Sequence, residues 1–161
     1  MDKVAFINKY SGGFYGDQSS LEKKLADLAG LIYDAVNPPV EVITANRTLT
    51  EEDSGKVFLI GTDEKVITLP ATKAGLDFTF INSGAAANNI ITISPQEADG
   101  ISGTITLAGT VVVDAGVVNK DLINTKSTSK AGDSVRLLGT GVTGTTAYII
   151  ASSTGIWAAE G

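Results

Sequence analysis

"VRLLGTGVTGTTAYII", residues 135–150, decides the fold class. Gly139, Gly141 and Gly144 stand at the spacing G-x-G-x-x-G, which is the fingerprint of a dinucleotide-binding turn. Such a turn needs a strand running into the glycines and a helix starting on them. The helix N-terminus supplies the free N–H groups and the positive dipole end that hold a pyrophosphate. The incoming half fits, with Val135, Leu137 and Leu138 around Arg136. The outgoing half does not: Thr145, Thr146, Tyr148, Ile149 and Ile150 are strand formers. The acidic residue expected about 20 positions on to bind a ribose has only Glu160 as a candidate. The stretch reads as a Gly/Thr-rich loop joining two antiparallel strands, and no cofactor is expected.

The same grammar runs outward through residues 40–161. Strands are expected at "VEVIT", "KVFLIG", "KVITL", "LDFTFIN", "NIITIS", "ISGTITL", "TVVVD", "DLINTK", "SVRLLG", "AYIIAS" and "GIWAAE". In "LDFTFIN" Leu76, Phe78 and Phe80 share one face against Asp77 and Thr79; in "ISGTITL" Ile101, Ile105 and Leu107 do the same. Asp53-Ser54-Gly55, Gly61-Thr62-Asp63, Asp99-Gly100, Asp114-Ala115-Gly116 and Gly132-Asp133 carry turn chemistry. The expected fold is mainly β, an antiparallel β-sandwich of jelly-roll type. No repeat of fixed period is visible, which argues against a propeller or a β-solenoid.

Two unlike segments precede this domain. Residues 1–18 form an expected extended arm carrying Phe6, Tyr10, Phe14 and Tyr15 among Gly12, Gly13 and Gly16. A chain end so rich in glycine holds no core of its own, so the rings dock either on the β domain or, as aromatic anchors, on a partner. Residues 19–39 read as an amphipathic helix with a stop. Ser19 and Glu22 form a capping box, and Pro38 and Pro39 end the helix. Leu21, Leu25, Leu28, Ile32 and Ala35 are spaced 4, 3, 4 and 3, an a/d seam of about two heptads. The seam fits self-association. Leu31 and Val36 widen it, so packing on the chain's own sheet is the alternative. Two heptads do not assemble alone, so the β domain would have to associate too.

Composition narrows the chemistry. The chain has 161 residues with neither cysteine nor histidine. Disulfides, the usual zinc sites, a cysteine nucleophile and a Ser-His-Asp triad are therefore excluded. Net charge is −6 and the basic residues are scattered, which disfavours nucleic acid and anionic membranes as partners. "MDKVAFINKY" has no apolar run long enough for a signal peptide. The expectation is a soluble chain made in a cytoplasm.

The remaining candidates are weak. Glu51, Glu52 and Asp53 are hard oxygen donors without the alternation of a calcium loop, and Thr50 with Asp53 reads as a capped turn. Glu97 and Asp99 could form a carboxylate pair, although Asp99-Gly100 as a hairpin turn is the simpler account. Asn46-Arg47-Thr48 is a glycosylation sequon without a secretory signal. Trp157 is read as a core or subunit-contact residue, with a sugar-stacking platform as the alternative. No constellation is catalytic, so no enzyme is expected.

Residues 44–82, "TANRTLTEEDSGKVFLIGTDEKVITLPATKAGLDFTFIN", carry a resemblance. "LTEEDSGKVF", "ITLP" and "AGLDFTFIN" in this order resemble a β module of tailed-bacteriophage virion proteins. The module recurs in head decoration (cement) proteins and in fibre-associated proteins. The resemblance implies a homotrimer seated on the outer surface of a phage head, bound to the major capsid protein and clamping it against internal pressure. It implies no catalytic residues. On this reading the helix seam joins three chains and the aromatic arm reaches the capsid. The alternative is a fibre- or baseplate-associated β domain that binds a receptor or glycan through Trp157 and the loop 83–89.

Overall fold

The computed structural model describes residues 19–85 and 89–160. The chain divides into two compact units, Met1–Pro39 and Val40–Gly161. In the first, α1 runs over Ser19–Val36 and closes on Tyr33, whose carbonyl accepts from both the backbone and the side-chain N–H of Asn37. Pro38 and Pro39 follow, and no further helical hydrogen bond can form there.

Among the described residues the second unit holds twelve strands. They are β1 (Val40–Ile43), β2 (Arg47–Thr48), β3 (Val57–Ile60), β4 (Lys65–Thr68), β5 (Asp77–Asn82) and β6 (Ile91–Ser94). The rest are β7 (Asp99–Leu107), β8 (Thr110–Asp114), β9 (Leu122–Asn124), β10 (Ser134–Gly139), β11 (Gly144–Thr154) and β12 (Trp157–Ala159). They form a seven-stranded sheet, β1-β3-β5-β10-β11-β7-β8, and a five-stranded sheet, β12-β9-β6-β4-β2. The inner faces of both contribute to one apolar core that includes Phe58, Phe78, Phe80, Ile93, Leu122, Leu137, Tyr148 and Trp157. Phe58 and Phe80 face each other across β3 and β5 with ring centroids 5.5 Å apart, and Phe78 reaches Tyr148 at 6.4 Å.

The mainly-β, two-sheet architecture is as expected, and all eleven expected strands are present. The two-residue β2 is additional. The expected antiparallel, jelly-roll pairing requires correction. β1, β3 and β5 pair parallel, as do β2, β4 and β6, and β11 pairs parallel with β7. The chain alternates between the sheets from β1 to β6 and so winds as a short parallel coil; β9, β10 and β12 then close it antiparallel. Successive turns of the coil advance by 17 and 22 residues in one sheet (Val40 to Val57 to Thr79). In the other they advance by 20 and 26 (Arg47 to Ile67, Lys65 to Ile91). Loops of unequal length hide the winding from any search for a fixed period.

Candidate functional site

The three glycines of residues 139–144 sit where two loops meet. Gly139 exchanges backbone hydrogen bonds with Gly75 and Leu76, and a Cβ there would stand 2.5 Å from the Lys73 carbonyl oxygen. Gly141 has φ +78° and donates its N–H to Thr72 Oγ1. The segment leaving Gly144 is the long strand β11, so no helix starts on these glycines to offer a phosphate its N-terminus.

Thr72 is the centre of this corner. Its hydroxyl donates to the Ala147 carbonyl at 2.6 Å, and its N–H donates to Asp99 Oδ2 at 2.8 Å. Asp99 does not form a hairpin turn: it opens β7 and is 1% exposed. Its Oδ1 accepts no hydrogen bond from the described residues. Burial raises the pKa of the Tyr148 phenol, and Asp99 and Glu51 push it in the same direction. That hydroxyl donates to the Pro70 carbonyl. Glu97 is exposed while Asp99 is enclosed, so the two carboxylates do not converge on a cleft.

The acidic run at Glu51–Asp53 is a 3₁₀ turn. Asp53 accepts from the Thr50 N–H at 2.9 Å, from Arg47 at 2.7 Å and from Lys56 at 2.6 Å. Burial alone would raise its pKa. The Lys56 and Thr50 hydrogen bonds, with the Arg47 and Lys56 charges, outweigh that and hold the carboxyl below its ordinary value. Arg47 also pairs with Glu41 and lies 5.6 Å from the centre of the Phe58 ring. These oxygens already face two cations, so the turn is a structural clasp. Among the described residues no cluster of acidic groups has the arrangement of a metal site. A depression lined by residues 41–47 includes Glu41 and Arg47 of the same ion-pair cluster.

A second polar feature joins the sheets. Asn82 on β5 donates to Asn124 Oδ1 on β9 at 2.7 Å, and Asn124 donates to Asp133 Oδ2 at 2.9 Å. Asn89 and the Gly84 N–H both bond Asn82 Oδ1. All four side chains are buried. Trp157 is fully buried as well and donates Nε1–H to the Thr154 carbonyl. It is a core residue and offers no platform to a sugar.

Several large apolar side chains are exposed. On α1, Leu28 is 52% and Ile32 48% exposed, with Leu31 and Val36 more open still, while Ala29 is buried. Leu25 is half-buried. Of the expected seam, the side chains of Leu21 and Ala35 lie outside the described residues, as do Phe6, Tyr10, Phe14 and Tyr15 of the arm. On the β unit, Val111 is 67% and Val113 79% exposed on the edge strand β8, with Leu107, Val117 and Val118 beside them in the chain. Val40 and Val42 are exposed on the opposite edge, β1. The strand "TVVVD" was legible in the sequence. Its position at an edge was not, because an edge strand and a buried strand share the same β-branched run.

In comparisons with known proteins, no family model matches the chain and no curated protein does. Among the described residues no helix is long and apolar enough to cross a membrane.

Proposed function

We propose that this chain is a structural virion protein, a decoration or cement protein that binds the outer surface of a phage head as a trimer and stabilises it. The observation that carries the reading is the uncovered apolar stripe of α1, with Leu28 and Ile32 open at heptad spacing. A stripe of that spacing is the surface a second and third helix fit. The resemblance of residues 44–82 to the phage β module supplies the setting. Supporting it further, the buried carboxylates Asp53 and Asp133 are held in structural hydrogen bonds rather than presented to a cleft.

In this role Phe6, Tyr10, Phe14 and Tyr15 anchor the major capsid protein. Three arms on one trimer engage at high effective concentration, so weak single contacts add up to firm attachment. The protein is made in the bacterial cytoplasm and ends on the virion surface, without cofactor, catalytic residue, nucleic acid or membrane.

Two measurements test this. Light scattering of the full chain should return three chain masses at micromolar concentration. Heads of the encoding phage that lack the protein should take it up and resist heating better afterwards. A monomer in solution together with heads that take up none would overturn the reading.

A further inference from the structure

We propose that the three chains are joined edge to edge, with β8 of each protomer pairing with β1 of the next to close a ring. This rests on the trimer reading and names the surface that makes it.

The two sheets treat their edges differently. The five-stranded sheet ends in β2, two residues long and carrying Arg47, and in β12, three residues long and followed by the Glu160–Lys120 pair. Short, charged edges of this kind prevent further pairing. β8, at one edge of the seven-stranded sheet, has no such protection. β8 is the five-residue "TVVVD", held out by a two-residue turn with φ +50° at Ala108 and +82° at Gly109. It has no lysine, proline or bulge, and its outer face is Val111 and Val113. β1, "VEVI", turns Val40 and Val42 away from the core while Ile43 faces it, and its one charge, Glu41, is already paired with Arg47 and Lys56. An apolar edge such as β8 is a template for another strand, and β1 offers the matching pair of exposed valines.

A second copy is the occupant because the helix seam cannot suffice. A stable interface buries about 800 Å² per partner over roughly 20–30 residues, and two heptads supply a handful. The remainder has to come from the β unit, whose exposed large apolar residues concentrate in residues 107–118 and on β1. Three-fold symmetry then selects the pairing. β8 against β8 is isologous and closes a two-fold dimer, whereas a ring of three needs two different surfaces on each chain. β1 is the other open edge of the same sheet.

Direction agrees. β1, β3 and β5 run one way; β10 is antiparallel to β5, β11 to β10, β7 is parallel to β11, and β8 is antiparallel to β7. β8 therefore runs opposite to β1. A three-fold axis along the strands brings the two edges together antiparallel, the better-bonded arrangement. Val111 and Val113 then join Val40 and Val42 on the same outer face.

Cross-linking tests this directly, since the chain has no native thiol. Val42→Cys and Val113→Cys change side chains that are 64% and 79% exposed, so both variants should fold. The full-length single variants, co-expressed with different tags and treated with a short bis-maleimide, should yield the mixed cross-link. Neither variant alone should cross-link. The double variant should stop at a covalent trimer. Val113→Lys should weaken association at least tenfold without lowering the melting temperature of the dissociated chain. Self-linking of Val113→Cys would show two-fold β8 pairing and overturn the proposal, as would a ladder beyond three. No cross-link in a chain whose mass remains trimeric would overturn the edge pairing alone. A monomeric mass at every concentration would overturn the trimer as well.

Discussion

Asp53 shows how one residue ties β2 to the start of β3 across the turn between them. Its carboxylate satisfies the Thr50 N–H and holds Arg47 and Lys56 together, at 5% exposure. An Asp53→Asn change leaves those cations half-open with weakened partners and should cost about 2 kcal/mol, the range of hydrogen bonds to charged groups. Urea unfolding of the two proteins compares them. The pH dependence has a definite sign. The unfolded carboxyl takes up its proton near the ordinary value of 3.8, while the folded one resists to lower pH. This contribution is therefore complete above about pH 5 and is lost as the pH falls through 3.8 toward the folded value. Asp53→Asn should flatten that part of the acid limb. Asn124 is the other sensitive position. Asn124→Ala leaves the buried Asn82 amide N–H without its acceptor and takes one donor from Asp133, and should cost about 3 kcal/mol, read as a lower urea midpoint at unchanged slope. Thr50 and Asp53 were legible as a turn because their contact is local. Arg47, six residues from Asp53, and the Asn82–Asn124 pair, 42 residues apart, were not, because nothing near either residue in the chain marks its partner.

At the scale of elements, alternation carried most of the information. β5 buries Phe78, Phe80 and Asn82 and turns Asp77, Thr79 and Ile81 outward, the period-2 pattern read from its letters. β8 shows where that reading stops. Its three valines indicate a strand, yet only Val112 packs on the core. The helix stripe is similar, since heptad spacing sets which residues share a face and leaves open what covers them. Leu28→Glu with Ile32→Glu adds charge to an already exposed face. On the proposed trimer reading it should lower the sedimenting mass toward monomer while leaving the near-ultraviolet signal of buried Trp157 unchanged. Loss of that signal with no change in mass would place the stripe on the chain's own sheet.

For the whole molecule, the division at Pro39 makes a shortened chain informative. A chain starting at Val40 retains every residue of the apolar core cluster and both sheets. It should melt cooperatively within a few degrees of the full protein. On the proposed reading it should associate more weakly and bind heads less, because the seam and the arm are removed. Calorimetry with light scattering on the same samples checks both halves of this expectation. A chain that fails to fold would mean that α1 is part of the core.

The amino-acid sequence by itself determined eleven of the strand positions, most of the turns between them, the end of α1 at its prolines and the exclusion of histidine and cysteine chemistry. Each depends on the residue and its neighbours within a few positions. Tertiary structure alone decided that half the pairings are parallel, that Asp99 and Trp157 lie in the interior, and that the valines of β1 and β8 are left at open edges. A strand's pattern is the same whichever neighbour it takes and in whichever direction. Only the path of the chain between the two sheets chooses among them.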